Sequence, residues 1–452
     1  MESHRRLFGT DGIRGEANVH PMTPEVALRV GMAVAAHFGR TGRVVVGKDT
    51  RLSGYLFESA LASGVSAMGA EVLFVGPMPT PGIAYLTHSM RASAGVVISA
   101  SHNPFADNGI KLFAADGYKL PDSVEAHLEA LMEGDTMEPL RAGGGEIGKA
   151  RRLDDAPGRY ITHLKQAFPR GTDLSGLKMV VDCAHGATYR IAPTVFEELG
   201  ATVIPYGNEP NGTNINAECG ATHPELVCAK VKEHGADLGV AFDGDGDRAV
   251  FSDENGKVVD GDAILAMSAR DLHLRGALRG GAVVATVMSN LGLERALAEL
   301  GIGLVRTKVG DRYVVESMRR SGCNLGGEQS GHLVFIDHAT TGDGIIAALQ
   351  VLTIMRRTGT PLSRLAQVMT PIPQLLKNFT VARRAPLEQL ESVTRVIRQV
   401  ERELGDDGRV LVRFSGTEAK LRVMVECVEA SKLEDYVDRI GAAVVAALGA
   451  AA

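Results

Sequence analysis

The chain repeats one pattern of apolar and polar positions three times. Each copy has a short apolar run, a longer segment with apolar residues at helical spacing, and a second apolar run. The helical segments end in Met-Gly or Leu-Gly, and Gly69, Gly200 and Gly301 are typical of the left-handed residue that closes a helix. Short apolar runs joined through a helix indicate parallel strands, so we expect three related mixed α/β domains. In strand–helix–strand order the predicted elements are Arg43–Gly47, Ser53–Met68 and Glu71–Val75; Lys178–Cys183, Thr188–Leu199 and Thr202–Pro205; and Ala282–Val287, Gly292–Leu300 and Gly303–Thr307.

The pattern changes after Thr370-Pro371-Ile372-Pro373, where two prolines separated by one residue indicate a linker. The remaining residues predict a smaller C-terminal α+β domain. Its elements are a helix at Leu387–Leu404, strands at Arg409–Arg413 and Leu421–Cys427, and a last helix from Leu433. We therefore expect four domains around a central cleft, with boundaries at residues 1–156, 157–254, 255–370 and 374–452.

Composition narrows the class of protein. The 452 residues are 45% hydrophobic, which is enough for several large cores, and the net charge of -6 argues against a nucleic-acid partner. The five scattered cysteines form no Cys-x-x-Cys pair and fit reduced thiols of the cytosol. The first twenty residues have no apolar core of a signal peptide, and the apolar run Ile440–Ala452 is too short to cross a bilayer. We expect a cytoplasmic protein with no membrane partner.

A polar loop follows the apolar run Ala94–Ile98 and reads Ser-Ala-Ser-His-Asn-Pro-Phe-Ala-Asp-Asn-Gly-Ile-Lys over residues 99–111. Pro104 interrupts regular structure. Ser99 and Ser101 are therefore expected at the carboxyl end of a buried parallel strand, where open α/β sheets place their ligands. Considered alone, the loop would equally suit a turn rich in serine and asparagine.

The second repeat delivers an aspartate-rich loop, Asp243-Gly244-Asp245-Gly246-Asp247-Arg248, directly after an apolar run. In an extended segment alternate residues point the same way, so we expect the carboxylates to face one point. Such carboxylates repel one another unless a cation lies between them, and hard oxygen ligands suit Mg²⁺ or Mn²⁺. A calcium EF-hand is excluded because its sixth position would be Arg248 rather than glycine.

The third repeat delivers Gly326-Gly327-Glu328-Gln329-Ser330-Gly331-His332 at the equivalent place. Near the N-terminus, Phe8-Gly9-Thr10-Asp11-Gly12-Ile13-Arg14-Gly15 predicts a tight loop in which Arg14 points a fixed cation into a site. Considered alone, that segment would also suit a simple turn.

The C-terminal domain carries the loop Phe414-Ser415-Gly416-Thr417-Glu418, flanked by Arg413, Lys420 and Arg422. Hydroxyls, a glycine amide and cations together have the composition of an anion site, and phosphate is the expected anion. A plain hairpin turn is the alternative.

Four of these loops, Ser-Ala-Ser-His-Asn-Pro, Asp-Gly-Asp-Gly-Asp-Arg, Gly-Glu-Gln-Ser-Gly-His and Arg-Phe-Ser-Gly-Thr-Glu, resemble the α-D-phosphohexomutase family in sequence and in order. The resemblance covers the whole chain. The opening Phe-Gly-Thr-Asp-Gly-Ile-Arg-Gly and Gln329 look like the branch of the family that acts on glucosamine phosphate.

The resemblance implies an isomerase that moves a phosphoryl group between the 6- and 1-positions of a phosphosugar through a phosphoserine and a 1,6-bisphosphate. It would supply amino-sugar nucleotide and cell-wall precursor synthesis. Ser101 would be phosphorylated and would complete an Mg²⁺ shell with Asp243, Asp245 and Asp247. Lys111 and His332 would transfer a proton or stabilise charge, and Arg14 and Arg248 would contact the transferring group. Glu328, Ser330 and His332 would bind the sugar. The non-reacting phosphate would be bound by Arg413, Ser415, Gly416, Thr417 and Arg422. His102 would lie beside the nucleophile, where a structural hydrogen bond is as well supported as a role as the base.

The resemblance also implies one Mg²⁺ per chain, activation by glucosamine or glucose 1,6-bisphosphate, and allows a homodimer. Within the family, a phosphoglucomutase/phosphomannomutase activity on glucose or mannose phosphates is the nearest alternative. Outside it, we consider a metal-dependent phosphatase, in which water would take the phosphate from Ser101, and a sugar-phosphate-binding protein without catalysis.

Overall fold

The computed structural model of the protein describes residues 7–383, 385–414 and 420–449. They form two compact units. The first comprises the described residues up to Thr286 together with Ile302–Val368, and the second comprises Val287–Gly301 together with the described residues from Met369 onward. Among the described residues, no helix has both the length and the hydropathy needed to cross a membrane.

The first part of the chain folds into a six-stranded mixed sheet with the strand order β1-β5-β4-β2-β3-β6. Strands β2, β3, β4 and β6 pair in parallel, whereas β5 and β1 pair antiparallel at one side. The strands are β1 (Ile13–Glu16), β2 (Arg43–Lys48), β3 (Glu71–Pro77), β4 (Ala94–Ile98), β5 (Asp107–Ala114) and β6 (Ala150–Arg152). The helices are α1 (Pro24–Phe38), α2 (Gly54–Ala67), α3 (Thr80–Ser89) and α4 (Asp122–Met132).

The second repeat forms a five-stranded sheet with the order β11-β10-β9-β7-β8. Strands β8, β7 and β9 are parallel, and β10 and β11 continue the sheet antiparallel. Its strands are β7 (Lys178–Asp182), β8 (Thr202–Tyr206), β9 (Leu238–Phe242), β10 (Ala249–Asp253) and β11 (Val258–Val259), and its helices are α5 (Ala156–Gln166), α6 (Ile191–Glu198) and α7 (Pro224–His234). Helix α6 begins three residues later than predicted because Arg190, its N-terminal flanking residue, follows a turn.

The third repeat forms a four-stranded sheet with the order β13-β12-β14-β15, in which only β15 is antiparallel. Its strands are β12 (Ala282–Thr286), β13 (Gly303–Thr307), β14 (Leu325–Gly327) and β15 (Leu333–Phe335). Its helices are α8 (Gly261–Leu274), α10 (Asp311–Ser321), α11 (Gly344–Thr358) and α12 (Leu362–Leu365), and α9 (Leu291–Glu299) belongs to the second compact unit.

The second unit contains a three-stranded antiparallel sheet with the order β16-β18-β17. Its elements are β16 (Gln374–Thr380), α13 (Glu391–Leu404), β17 (Gly408–Phe414), β18 (Lys420–Cys427) and α14 (Leu433–Leu448). Helix α13 begins four residues after the predicted start, because Leu390 adopts a non-helical ψ of 80° after a short 3-10 turn. The predicted mixed α/β class, with a smaller α+β part at the C-terminus, is confirmed.

The predicted glycine helix ends are confirmed. Gly69, Gly200 and Gly301 have φ angles of 96°, 100° and 71°, a range that a side chain disfavours. All five cysteines are free and buried, as expected for reduced thiols.

Helices α1 and α2 pack at unusually close range through two glycines. A Cβ atom on Gly31 would lie 2.2 Å from the Leu61 carbonyl oxygen, and one on Gly64 would lie 2.1 Å from the Leu28 carbonyl oxygen. Both contacts are with backbone, which cannot rotate away. The first sheet is therefore covered by a helix pair whose spacing depends on these two positions.

We expect Gly31→Ala to destabilise the protein by about 1–3 kcal/mol, because the new methyl group forces the two helices apart. Gly143→Ala is the matched control, since Gly143 is exposed with φ -64° and its Cβ would meet nothing within 4 Å. Differential scanning calorimetry should show a lower melting temperature for the first variant only. Equal melting temperatures for the two variants would contradict the packing argument.

Candidate active site

Ser101 lies in the loop between β4 and β5, buried and in a left-handed backbone conformation with φ 53°. Its Oγ donates a hydrogen bond to Asp243 Oδ2 at 2.5 Å. Ser99 is engaged differently: its Oγ donates to Asp49 Oδ2 at 2.6 Å and accepts the Ser101 N–H at 2.9 Å. Of the two serines, only Ser101 therefore presents its hydroxyl to the aspartate loop.

Arg51 holds the serine loop in this conformation. Its guanidinium is completely buried and pairs with Asp49 Oδ2 at 2.8 Å. Asn216 adds a second donor to the Ser101 carbonyl oxygen at 2.9 Å. The backbone carbonyl oxygens that accept from Arg51 belong to Ser101 at 2.9 Å, Asn103 at 2.8 Å, Asp107 at 3.1 Å and Pro104. Because a left-handed serine costs free energy, these bonds are what keep the hydroxyl in place.

The carboxylates of Asp243, Asp245 and Asp247 converge in the loop between β9 and β10. Each offers one oxygen, these oxygens lie within 4.8 Å of one another, and all three residues are buried. The expected extended geometry is wrong, because β9 ends at Phe242 and the loop turns back on itself, with Gly246 at φ 71°. The carboxylates meet because the loop curls around one point, rather than because alternate residues share a face.

The electrostatics of this loop call for a cation. Burial, together with repulsion by Asp247 and Asp245, raises the pKa of Asp243 well above its ordinary value. Oδ1 of Asp245 and Oδ1 of Asp247 are buried without a hydrogen-bond partner among the described residues. Buried carboxylate oxygens are normally paired, so the three aspartates fit a hard divalent cation such as Mg²⁺.

Lys111 is buried among carboxylates. Its Nζ lies 2.8 Å from Asp245 Oδ2, 3.4 Å from Asp247 Oδ2 and 3.1 Å from Asp11 Oδ2. Burial alone would lower the pKa of Lys111, but the three aspartates raise it well above its ordinary value. The surrounding carboxylates therefore favour the charged form of Lys111.

A second buried lysine, Lys119, continues this network. It pairs with Asp11 and with Asp311 at the start of α10, and Asp311 Oδ2 lies 3.4 Å from His332 Nε2. A chain of alternating positive and negative groups therefore runs from Lys111 to His332 through Asp11, Lys119 and Asp311.

Arg14 and Arg248 lie beside the same cluster. Arg14 pairs with Asp11 and donates to the Ala100 carbonyl oxygen at 3.3 Å. Arg248 pairs in backbone register with His332, and its Nε lies 3.9 Å from Asp247 Oδ1.

His102 contacts the Ser101 hydroxyl through Nδ1 at 3.3 Å. Burial and the nearby Arg248 and Arg14 lower the pKa of His102 to about 3. The imidazole therefore stays neutral at physiological pH, which suits a local hydrogen bond with Ser101.

The loop between β14 and β15 carries Glu328 and Ser330. Ser330 Oγ donates to Glu328 Oε2 at 3.3 Å, and the Gly310 N–H donates to Glu328 Oε1 at 3.2 Å. Gln329 points to another partner: its Nε2 donates to Asp260 Oδ2 at 3.1 Å, and Asp260 caps the N-terminus of α8. The Gln329 side chain is thus engaged in the scaffold.

In the second unit, Arg413 and Arg422 face each other directly across β17 and β18. Burial and the charge of Arg422 lower the pKa of Arg413. Arg422 Nε is buried without a partner among the described residues. Two opposed cations destabilise a hairpin unless an anion joins them, so the pair fits the predicted anion site. The predicted contributors Ser415, Gly416 and Thr417 lie outside the described residues.

Comparison with known proteins gives four consecutive matches to the phosphoglucomutase/phosphomannomutase family. Alpha/beta/alpha domain I matches residues 5–138, domain II residues 158–256, domain III residues 260–372 and the C-terminal domain residues 376–443. The chain belongs to the phosphoglucomutase/phosphomannomutase family. Members of this family are phosphohexomutases, which are isomerases, so the chain is an isomerase of this class.

Relatives within the family are strongly similar over nearly the whole chain. The phosphoglucosamine mutase of Anaeromyxobacter sp. (strain Fw109-5) is 58% identical, with 98% of this chain and 96% of the relative covered. The phosphoglucosamine mutase of Syntrophotalea carbinolica is 57% identical, with 93% of each chain covered.

Solved structures of the family share the fold. A phosphoglucomutase/phosphomannomutase family protein from Burkholderia thailandensis has a TM-score of 0.80 at 25% identity, with 98% of each chain covered. Aspergillus fumigatus N-acetylphosphoglucosamine mutase in complex with GlcNAc-6P and magnesium has a TM-score of 0.69 at 18% identity, with 98% of this chain and 96% of that chain covered.

Several residues of the site were missed by sequence reasoning. Asp11 stands in the N-terminal loop from which only Arg14 was taken, and Arg51 follows the carboxyl end of β2, next to the serine-bearing strand β4. The available signal for Arg51 was the charged run Lys48-Asp49-Thr50-Arg51 at the carboxyl end of β2. Asn216, Lys119 and Asp311 carry no such signal, because their partners come from distant parts of the chain.

We expect Arg51→Met to speed hydrogen exchange in the peptide covering residues 99–107 by at least about tenfold. Each lost bond to a charged donor is worth about 1.5–3 kcal/mol, and the left-handed Ser101 would relax. Mass spectrometry of exchange should show this against Arg159→Met, which removes an exposed arginine that pairs with Asp155. Unchanged hydrogen exchange in the Arg51 variant would show that the serine loop keeps its conformation without Arg51.

Proposed function

We propose that the chain is a phosphoglucosamine mutase, which interconverts glucosamine 6-phosphate and glucosamine 1-phosphate through a phosphoserine and a 1,6-bisphosphate. The observation that carries this proposal is the buried Ser101 hydroxyl, 2.5 Å from Asp243 at the edge of the aspartate cluster. The relatives with more than half of their residues identical support the amino sugar as substrate. Phosphoglucomutase/phosphomannomutase activity is the alternative within the family.

In the first half-reaction a sugar hydroxyl attacks the phosphorus of phosphorylated Ser101, and the bond from phosphorus to the serine oxygen breaks. The hydroxyl loses its proton, and the serine oxygen is left to gain one. In the second half-reaction, after the bisphosphate has reoriented, the Ser101 hydroxyl loses its proton and attacks the phosphorus of the other phosphate. The bond from that phosphorus to the sugar oxygen breaks, and the sugar oxygen gains a proton to become a hydroxyl. Catalysis of such transfers depends mainly on positioning and charge stabilisation.

The charged groups divide these tasks. Lys111 stays protonated, so it stabilises the negative charge of the transferring group, together with Arg14 and Arg248. His332 is left as the candidate that moves the hydroxyl proton, because its ring nitrogens have no hydrogen-bond partner among the described residues. Of the two alternatives that the sequence leaves open, the contacts favour His332.

Asp243, Asp245 and Asp247 would hold one Mg²⁺ together with the phosphoserine. The ion would offset the negative charge that accumulates when a phosphate joins three carboxylates. We also propose a glucose or glucosamine 1,6-bisphosphate as the activator, because an unphosphorylated Ser101 must first receive a phosphoryl group.

Glu328 and Ser330 would bind the sugar hydroxyls, and Arg413 with Arg422 would grip the non-reacting phosphate, assisted by Ser415, Gly416 and Thr417. A cytoplasmic location stays a prediction from the composition of the sequence, and a homodimer stays a prediction from the family resemblance.

A phosphatase would use the same serine and the same metal. Water would then replace the sugar hydroxyl as the attacking group. Release of free phosphate in step with turnover would favour that function over the mutase.

The function is tested by one assay that compares the 1-phosphates of glucosamine, glucose and mannose with a bisphosphate primer present. We expect the highest kcat/KM for glucosamine phosphate. Higher kcat/KM for glucose or mannose phosphate would favour the alternative within the family.

We expect Ser101→Ala to abolish turnover and leave the melting temperature near that of the parent protein, because the hydroxyl is the only proposed carrier of the phosphoryl group. Peptide mass spectrometry of active protein should place a single phosphate on Ser101. Ser99→Ala is the informative comparison, since it should remain phosphorylated at Ser101. A phosphate on Ser99 would refute the assignment.

Mg²⁺ affinity should fall as the pH decreases. The pKa of Asp243 is raised in the metal-free protein, so a proton competes with the cation and is released when Mg²⁺ binds. Titration calorimetry at about pH 5.5 and about pH 8.5, in buffers of different ionisation heat, should detect this proton at the lower pH. Asp243→Asn should bind Mg²⁺ weakly at both values. An affinity independent of pH would contradict the assignment of Asp243 as a ligand.

A further inference from the structure

A second cluster of metal-ligating side chains adjoins the aspartate loop. Asp247, Asp311 and His332 each offer one ligand atom, and these atoms lie within 4.8 Å of one another. The three residues come from the loop after β9, the start of α10 and the loop between β14 and β15. Asp247 is shared with the first cluster, whereas Asp311 and His332 are not.

The histidine supplies an observation that is independent of the acidic residues. His332 is only 2% exposed, and neither ring nitrogen has a hydrogen-bond partner among the described residues. Its Nε2 faces Asp311 Oδ2 at 3.4 Å. The ring is held by packing, since a Cβ on Gly342 would lie 2.4 Å from the imidazole. A buried imidazole normally makes a hydrogen bond, so a fixed ring whose nitrogens make none among the described residues points to a ligand.

The oxygen side of the cluster is also incomplete. Asp247 Oδ1 is buried without a hydrogen-bond partner among the described residues, and the nearest cations are Arg248 Nε at 3.9 Å from Oδ1 and Lys111 Nζ at 3.4 Å from Oδ2. Asp311 Oδ1 accepts a hydrogen bond from the Arg312 N–H at 2.7 Å, and Asp311 Oδ2 forms an ion pair with Lys119 Nζ. A cation would therefore share Asp311 with Lys119, which keeps its second partner, Asp11.

The donor set selects the kind of metal. Zn²⁺ accepts both imidazole nitrogen and carboxylate oxygen, and open zinc sites have three protein ligands and leave a fourth position free, whereas Mg²⁺ prefers oxygen alone. A carboxylate shared by two sites is also compatible with the spacing of about 3.5–4 Å found between paired metal ions.

We propose that Asp247, Asp311 and His332 form a second cation site that binds Zn²⁺ or a similar transition-metal ion in preference to Mg²⁺ and that inhibits the enzyme. Inhibition follows because the metal occupies the imidazole nitrogen that the reaction would use. The inhibition rests on the proposed function, but metal binding does not.

Binding is tested on the full chain with Mg²⁺ in excess, by titration with Co²⁺ as a spectroscopic substitute for Zn²⁺ and by metal analysis after Zn²⁺ loading. We expect a Co²⁺ absorption band with nitrogen ligation in the parent protein. His332→Gln should remove the band, and Asp311→Asn should weaken Co²⁺ binding more than the about 10- to 100-fold typical of an outer-shell change. His338→Gln, a partly buried histidine of the same repeat, should leave the band unchanged.

The variants of the first cluster separate the two sites. Asp243→Asn should lose Mg²⁺ and keep the Co²⁺ band, because Asp243 belongs only to the first site. If the band persists in His332→Gln and disappears in Asp243→Asn, the second site does not exist. Circular dichroism of each variant excludes unfolding as the cause of a lost band.

Inhibition is measured separately as the Zn²⁺ concentration that halves turnover at saturating Mg²⁺. The turnover of each protein is expressed relative to its own rate without Zn²⁺. We expect Asp311→Asn to raise the half-inhibiting Zn²⁺ concentration by at least about tenfold over that of the parent protein. An unchanged value would show that Zn²⁺ inhibits elsewhere. Absence of mutase activity in the parent protein would refute the proposed function, and the Co²⁺ experiment would still decide the site.

Discussion

The repulsion among buried carboxylates is the constraint on which this site depends. Asp243, Asp245 and Asp247 are brought together in one loop, and burial makes their mutual repulsion stronger than it would be in water. Lys111 offsets part of this charge and is itself held in the charged form by it. The remaining oxygens without a hydrogen-bond partner among the described residues make the loop a candidate cation site. Without both the lysine and a cation, the same residues would be neutralised by protons, as the raised pKa of Asp243 already indicates.

The same constraint explains why the serine loop needs its own support. The proposed nucleophile, Ser101, lies against a cluster of negative charge and would carry more negative charge as a phosphoserine. Its backbone is fixed by Arg51, whose positive charge is balanced by Asp49 rather than by the aspartates of the loop after β9. Arg51 and Lys111 thus have different roles. Arg51 holds the conformation of the serine loop, and Lys111 offsets the negative charge of the aspartates that the loop faces.

Periodicity predicted the fold well, because the spacing of apolar residues and the closing glycines are local properties. The serine and aspartate loops were predictable for the same reason, since each is contiguous in sequence. Most of the supporting residues were not. Arg51 donates to the Ser101 carbonyl oxygen across 50 residues of sequence, and Lys119 meets Asp311 across 192. Gln329 shows the opposite difficulty: it lies between Glu328 and Ser330, which were expected to bind the sugar, but its own amide bonds to Asp260. No pattern of neighbouring residues reports which way such a side chain turns.

The ion pairs made by α10 restrict how the first unit can move. Asp311 pairs with Lys119, and the adjacent Arg312 pairs with the buried Glu125 at 2.6 Å, so consecutive residues tie the third repeat to the first. Separating them would strand buried charges, at about 3–5 kcal/mol for each broken pair. Hinge motion between these two repeats is therefore disfavoured during turnover. These pairs hold the first and third repeats together as one body, and the proposed bisphosphate would have to reorient without a change in the angle between them.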